Sequence, residues 1–371
     1  MPRKSGSKSK RPRRATRGTR ESQAKSITPN PFLALLSAVR RDVDARLAGF
    51  LDAKRDAARK QGKEVGRLVS AVSDLCLRGG KRLRPALLAV GYRVASASAD
   101  LEPALDAGVA LELLHAYFLI HDDWMDGDAM RRGGPAVHAL LAKQLGSQQK
   151  GDASAILAGD YALAMATEAL SRVECPPSRL LSAFACFAQM QLDAVAGQQL
   201  DLLGARDIVL MYTLKTASYT VLGPLRLGAQ LVGGSPQLLG AMTRFALPVG
   251  IAFQLRDDLL NAFGDPDQTG KPFAGDLKRG KRTWLNDVAL TLAKGKQRQL
   301  LKRALGNPNA TMAELRRAVA VLDGSGARER VERQIEKLTS DAIDALARAP
   351  LQPRARRLLQ GAAWALTARQ N

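Results

Sequence analysis

The sequence predicts an all-helical protein, and three observations carry that expectation. Apolar residues recur at three- and four-residue spacings through AVRRDVDARLAGFLDA, LLSAFACFAQMQLDAVAGQQL and ERVERQIEKLTSDAIDALARA, the repeat of a single helix face. Alternating runs, the mark of half-buried strands, are scarce. Glycine and proline gather instead at RGGKRLRP, MRRGGP, CPPS, GGSP and GDPDQTGKPFAGDLKRGK, and these breaks divide the chain into about a dozen helices. No fixed-period repeat is present, so residues 31–371 read as one bundle rather than a solenoid.

The opening differs in kind. Residues 1–25 hold ten Lys or Arg and one Glu, a net +9, so the rest of the chain carries +12 of the formal +21. Poor in apolar residues and rich in Ser, Gly and Pro, residues 1–30 are expected to be a disordered basic extension, solvated in the first instance. Contact with nucleic acid or an acidic membrane is the alternative. A targeting role lacks both the apolar core of a secretory signal and the apolar face of a transit peptide. Cys76, Cys175 and Cys186 show neither C-x-x-C pairing nor metal-type spacing, so no disulfide framework or zinc site is expected, and a reducing, cytoplasmic setting fits. No uncharged apolar run reaches about eighteen residues, since Ala107 to Ile120 contains Glu112 and His115, and no membrane span is expected.

The chemistry begins at HDDWMDGDAMRR. A helix from near Glu102 to about Met125 puts Asp122 and Asp126 one turn apart on one face, with Asp123 beside them. Like charges so placed repel, and a hard cation is the natural compensator; Mg²⁺ suits, because it keeps waters and is completed by substrate phosphates. A solvated helix end is the competing reading, and an EF-hand is excluded by Trp124 and Gly133 at ligand positions. A second cluster favours the metal: Asp257 and Asp258 follow another apolar helical run, with Gln254 one turn before and Asn261 one turn after Asp257. Cationic partners stand beside glycines. GGKRLRP offers Lys81, Arg82 and Arg84, MRRGG offers Arg131 and Arg132, and the late loop offers Lys271 and Lys281. Metal-gripping acids with phosphate-gripping cations point to diphosphates, some held through metal and some directly. His115, seven residues before Asp122, shares the carboxylate face, whereas His121 and His138 read as structural.

Residues 31–371 resemble the trans-type polyprenyl diphosphate synthases, on GGKRLRPALL, LHAYFLIHDDWMDGDAMRRGGPAVH, LKTASYTVLGPL, FQLRDDLL and GDPDQTGKPFAGDLKRGKRT. The resemblance implies an isoprenoid synthase bundle around a central cavity, a homodimer, and head-to-tail addition of isopentenyl diphosphate to an allylic diphosphate. It implies Mg²⁺, three ions with the allylic substrate bound, ligated by Asp122, Asp126 and Asp257 with Asp123 and Asp258 in support. Lys81, Arg84, His115 and Arg132 match isopentenyl diphosphate contacts. Arg131, Lys215, Thr216, Gln254, Lys271 and Lys281 match groups around the allylic substrate, and residues 264–282 match a closing lid. Asn261 stands where the family more often has a third Asp, which predicts weaker metal binding there. Phe118 and Tyr117, four and five residues before Asp122, are expected to floor the product tunnel about 6 to 7.5 Å down the helix axis. That height suits a short product, and the resemblance, in which paired aromatics at these positions look like a farnesyl synthase, implies farnesyl diphosphate, with geranylgeranyl diphosphate as the alternative. A class I terpene cyclase, which needs no isopentenyl site, and a nucleic-acid-binding protein driven by the basic opening are the readings from other classes.

Overall fold

A computed structural model describes residues 1–2, 30–265 and 273–368. The basic opening from residue 3 to 29 lies outside the described residues, as does Lys271. The chain folds as helices α1 (Pro31–Gln61), α2 (Lys63–Leu77), α3 (Leu83–Ala95), α4 (Glu102–Asp126), α5 (Val137–Leu145), α6 (Gln148–Ser171) and α7 (Pro177–Leu202). After α8 (Ile208–Tyr212) a π-helical segment, Thr213–Leu222, runs straight into α9 (Gly223–Leu231) and is followed by α10 (Pro236–Phe263), α11 (Gly275–Arg279) and α12 (Trp284–Leu292). Four more helices, 295–304, 312–324, 327–347 and 353–367, follow, and among the described residues the helices exceed the dozen expected. Among the described residues the only strands are β1 (Met130–Arg131) and β2 (Gly134–Pro135), an antiparallel pair that sets Arg131 opposite Gly134.

Local chemistry fixes the boundaries. Asn30, Ser147, Asp207, Ser235 and Thr283 each accept a backbone N–H at a helix start, and Thr311 and Glu314 close a full capping box. Asn30 also donates to the carbonyl of Gly361 at 3.0 Å, tying the first helix to the last.

α4 is the central post. From Ala104 to Leu114 it is buried nearly all round, and beyond that His115, Tyr117, Phe118, Leu119, His121 and Asp122 are half-buried and line a cavity, while Ala116, Ile120 and Asp123 stay in the core. By length and composition alone, three helices among the described residues (Glu102–Asp126, Pro177–Leu202 and Pro236–Phe263) are long and apolar enough to cross a membrane. The stricter demand for an uncharged run passes over them. In α4 that apolar content is bundle core, 67% of its window being buried, whereas only 28% of the α7 window is.

The π-helical segment has a packing cause. A side chain at Gly197 of α7 would collide with the backbone of Lys215, and one at Gly250 of α10 with Ala217, so glycine on both sides lets the segment sit close between the two helices. π-turns are rare and concentrate at functional sites. This one carries Lys215, Thr216, Tyr219 and Thr220.

Candidate active site

The C-terminal halves of α4 and α10 reach one end of the bundle together, and a cavity of about 580 Å³ opens between them. Asp122 and Asp257 both line it. A contiguous recess of about 160 Å³ lies on the carboxylate side, bordered by Asp126, Asp201, Asp258, Asn261 and Lys281 as well as by Asp122 and Asp257. The two distant acidic motifs therefore share one space.

Two lysines bridge carboxylates in that space. The Lys215 ammonium lies 2.5 Å from Asp201 and 3.4 Å from Asp122; that of Lys281 lies 2.5 Å from Asp126 and 3.6 Å from Asp201. Burial pushes the Asp122 carboxyl up, but Lys215, Lys281 and Arg131 outweigh it and hold the group below its ordinary range. For Asp126 burial prevails over Lys281 and the carboxyl is raised. Among the described residues no three acid, histidine or cysteine groups close on one point, since the ammonium groups bridge the carboxylates. Hard oxygen donors gathered this densely fit a divalent cation, with anionic substrate displacing the lysines from the acids. Tyr212 donates to Asp258, whose carboxyl burial holds well above the ordinary range, and Gln254 donates to the same carboxylate at 2.9 Å. Thr216 in turn donates to Gln254 Oε1 at 2.7 Å, so both oxygens stay near the cavity they line.

The opposite wall is cationic. Lys81, Arg84 and Arg132 line the large cavity with His115. Arg84 donates to the Tyr219 hydroxyl at 2.5 Å and to Thr220 at 2.9 Å, with its guanidinium 4.2 Å from the Tyr219 ring centre. The Tyr219 hydroxyl, which accepts from Arg84, also shares a hydrogen bond of 3.0 Å with His115 Nδ1. Burial, then Arg84 and Arg132, push His115 well below its ordinary pKa, which favours the neutral ring. Phe118 and Tyr117 line the same cavity with ring centres 4.9 Å apart, and Phe118 meets Tyr219 edge-on at 4.9 Å.

Several expected site residues do something else. Asp123 lines neither cavity; it is fully buried and accepts from Arg131 Nε at 2.7 Å, because neighbouring residues on a helix point about 100° apart. Burial pushes its carboxyl up to about 6. Arg82, one of three cations in GGKRLRP, turns inward at a left-handed φ of 49°, pairs with buried Glu112 and with Asp44 at 2.6 Å, and donates to the Cys76 carbonyl at 2.9 Å. Asn261 spends its side-chain oxygen on the chain, accepting the N–H of Asp276 at 3.0 Å at the start of α11. Of the expected lid, residues 266–272 with Lys271 lie outside the described residues; its return, α11, is tied down by Arg279 donating to Asp128 at 2.6 Å.

Sequence reasoning alone does not find Asp201, Asp128, Tyr212 or Tyr219. For Asp201 a signal exists: in GQQLDLLG it ends a long apolar helical run, as Asp122 and Asp257 do.

Comparison with known proteins agrees with this geometry. Residues 66–322 match the polyprenyl synthetase family. A short chain isoprenyl diphosphate synthase of Methanocaldococcus jannaschii is 33% identical over 265 residues, 70% of this chain and 77% of that protein. A (2E,6E)-farnesyl diphosphate synthase of Mycobacterium bovis is 32% identical over 302 residues, 78% of this chain and 80% of that one. Among solved structures, the geranylgeranyl pyrophosphate synthase of Corynebacterium glutamicum, complexed with isoprenyl diphosphate and magnesium, superposes with a TM-score of 0.84 at 33% identity, covering 90% of this chain and 99% of that one. The chain belongs to the polyprenyl synthetase family and is a prenyltransferase, a polyprenyl diphosphate synthase. Members of the family use a divalent cation.

Proposed function

We propose that the chain joins isopentenyl diphosphate head-to-tail to dimethylallyl or geranyl diphosphate and that its product is farnesyl diphosphate. The observation that carries the reaction is one cavity whose lining holds carboxylates, Lys and Arg side chains and the rings of Tyr117 and Phe118. Magnesium ions, three in the expected case, would be held by Asp122, Asp126 and Asp257 and would supply positive charge to the departing diphosphate. Lys215, Lys281 and Arg131 face the same leaving group and stabilise its charge as the allylic carbon–oxygen bond breaks. Lys81, Arg84, Arg132 and His115 hold the second diphosphate, which orients the isopentenyl double bond toward the allylic carbon. The oxygens of Thr216 and Gln254 bear on the cation without capturing it. A carbon–carbon bond forms, and the released diphosphate takes the proton lost from isopentenyl carbon, so no side-chain base is needed.

The aromatic pair Tyr117 and Phe118 supports a fifteen-carbon product. A twenty-carbon product is the second reading, favoured by the geranylgeranyl synthase of Corynebacterium glutamicum among similar structures. Incubation with magnesium, labelled isopentenyl diphosphate and each allylic primer, followed by chromatography of the dephosphorylated product, decides between them. Conversion of an allylic diphosphate without isopentenyl diphosphate would instead indicate a cyclase. We also propose a homodimer through α7, whose Leu181 and Leu192 are 71% and 65% exposed on a helix otherwise apolar enough for a core. The free cysteines suit a cytoplasmic setting.

A further inference from the structure

The cation-bearing hairpin β1–β2 has an anchor that does not touch the cavity. Arg78, at the end of α2, lies outside the cavity lining and is 15% exposed at its side chain. Its Nη1 donates to the main-chain carbonyls of Arg131 at 3.1 Å and of Pro135 at 2.8 Å, and its other end pairs with Asp74. One guanidinium therefore holds both strands of the hairpin against α2. The fit depends on Gly134: a Cβ there would stand 2.5 Å from Arg78 Cζ, although the backbone at Gly134 has no left-handed φ that would demand glycine. Glycine is present to admit the guanidinium. Between the strands Arg132 sits at a φ of 51°, unusual for a side chain of its size, and its Nη1 reaches the Leu75 carbonyl of α2 at 3.4 Å. The Arg131 carbonyl that Arg78 holds belongs to the peptide leading into Arg132, so the strap fixes the backbone from which Arg132 is aimed, while the Arg131 side chain is anchored separately on Asp123.

Resting on the reading above, we propose that Arg78 and Gly134 are positioning residues for the isopentenyl diphosphate subsite: together they hold the hairpin so that Arg132 points at the second diphosphate. The strap acts through Arg132 and leaves the carboxylate wall untouched.

Arg78→Gln removes the fork, and Gly134→Ala forces it away without removing it. Each is expected to raise the KM for isopentenyl diphosphate and weaken its calorimetrically measured, metal-free binding by about tenfold, the scale of one charged hydrogen-bond network removed. The KM for the allylic primer should stay at its wild-type value even where losing these contacts lowers the melting temperature by a few degrees. Arg78→Lys should recover part of the loss, and the double variant should be no worse than Arg78→Gln, since both act on one contact. Wild-type affinity in both variants, equal rises in both KM values, or additive losses in the double variant would overturn the inference. Should the wild-type chain bind isopentenyl diphosphate but form no product, the proposed reaction fails while the binding comparison still judges the strap.

Discussion

Replacing the two aromatic floor residues tests how the structure sets product length. Phe118 and Tyr117 precede Asp122 by four and five residues, about 6 and 7.5 Å along α4. With both rings gone, the next side chain down that face is buried Leu114, four residues or about 6 Å lower. An isoprene unit places four carbon–carbon bonds of about 1.5 Å in a zigzag, roughly 5 Å of length, so a turn of helix accommodates one unit. Phe118→Ala should therefore move the main product from fifteen to twenty carbons, and the double variant with Tyr117→Ala should extend it further. Phe118 packs with its ring centre 4.9 Å from those of both Tyr117 and Tyr219, and removing that packing costs about 1 to 3 kcal/mol, which a folded chain of this size withstands. Reversed-phase chromatography of dephosphorylated products from labelled isopentenyl diphosphate reads the result. An active double variant with an unchanged chromatogram refutes the floor, and a twenty-carbon wild-type product refutes its height.

Three other outcomes follow from the site and its support. Glu112→Gln removes the buried one of the two counter-charges of Arg82, whose side chain is 2% exposed, leaving Asp44 at 2.6 Å, and urea unfolding should show a loss of about 1.5 to 3 kcal/mol; an unchanged midpoint would contradict a stabilising role for the buried pair. Since His115 is held below its ordinary pKa, the unfolded chain binds its proton first as pH falls below about 6.5 and stability declines there, by at most about 1.4 kcal/mol per pH unit. That stability is fully present above the unfolded value, and His115→Gln should flatten the decline; an identical pH profile would contradict the neutral assignment. Leu181→Glu with Leu192→Glu on α7 should convert a dimer into a monomer in light scattering, whereas an unchanged mass would place any interface elsewhere.

How much of this is legible in the sequence differs by level. Helix content and the main breaks follow from periodicity and from Gly and Pro, because the bundle buries faces that the 3.6-residue repeat writes directly. Asp122, Asp126 and Asp257 are visible because each ends an apolar run that has no other use for a carboxylate. Within each motif the facing is not. Asp123 is as acidic as Asp122, yet one step of helix rotation turns it to Arg131, and Arg82 is as basic as Lys81, yet a left-handed φ turns it into the core. No residue type announces the π-helical segment; it depends on glycines at 197 and 250, on two other helices. Asn261 reads as a defect in a metal motif, but it serves the backbone of α11, which comes fifteen residues later. Arg78, Tyr219 and Asp201 act across long sequence separations, where pattern reading has no purchase.

Equilibrium binding of a non-ionising allylic diphosphate analogue, with magnesium and with chelator, tests the central claim most directly. Wild-type protein should bind tightly only with magnesium, and both Asp122→Asn and Asp257→Asn should lose that dependence, since each removes one wall of a shared anion pocket. Binding that ignores chelator, or that survives either substitution undiminished, would contradict the account.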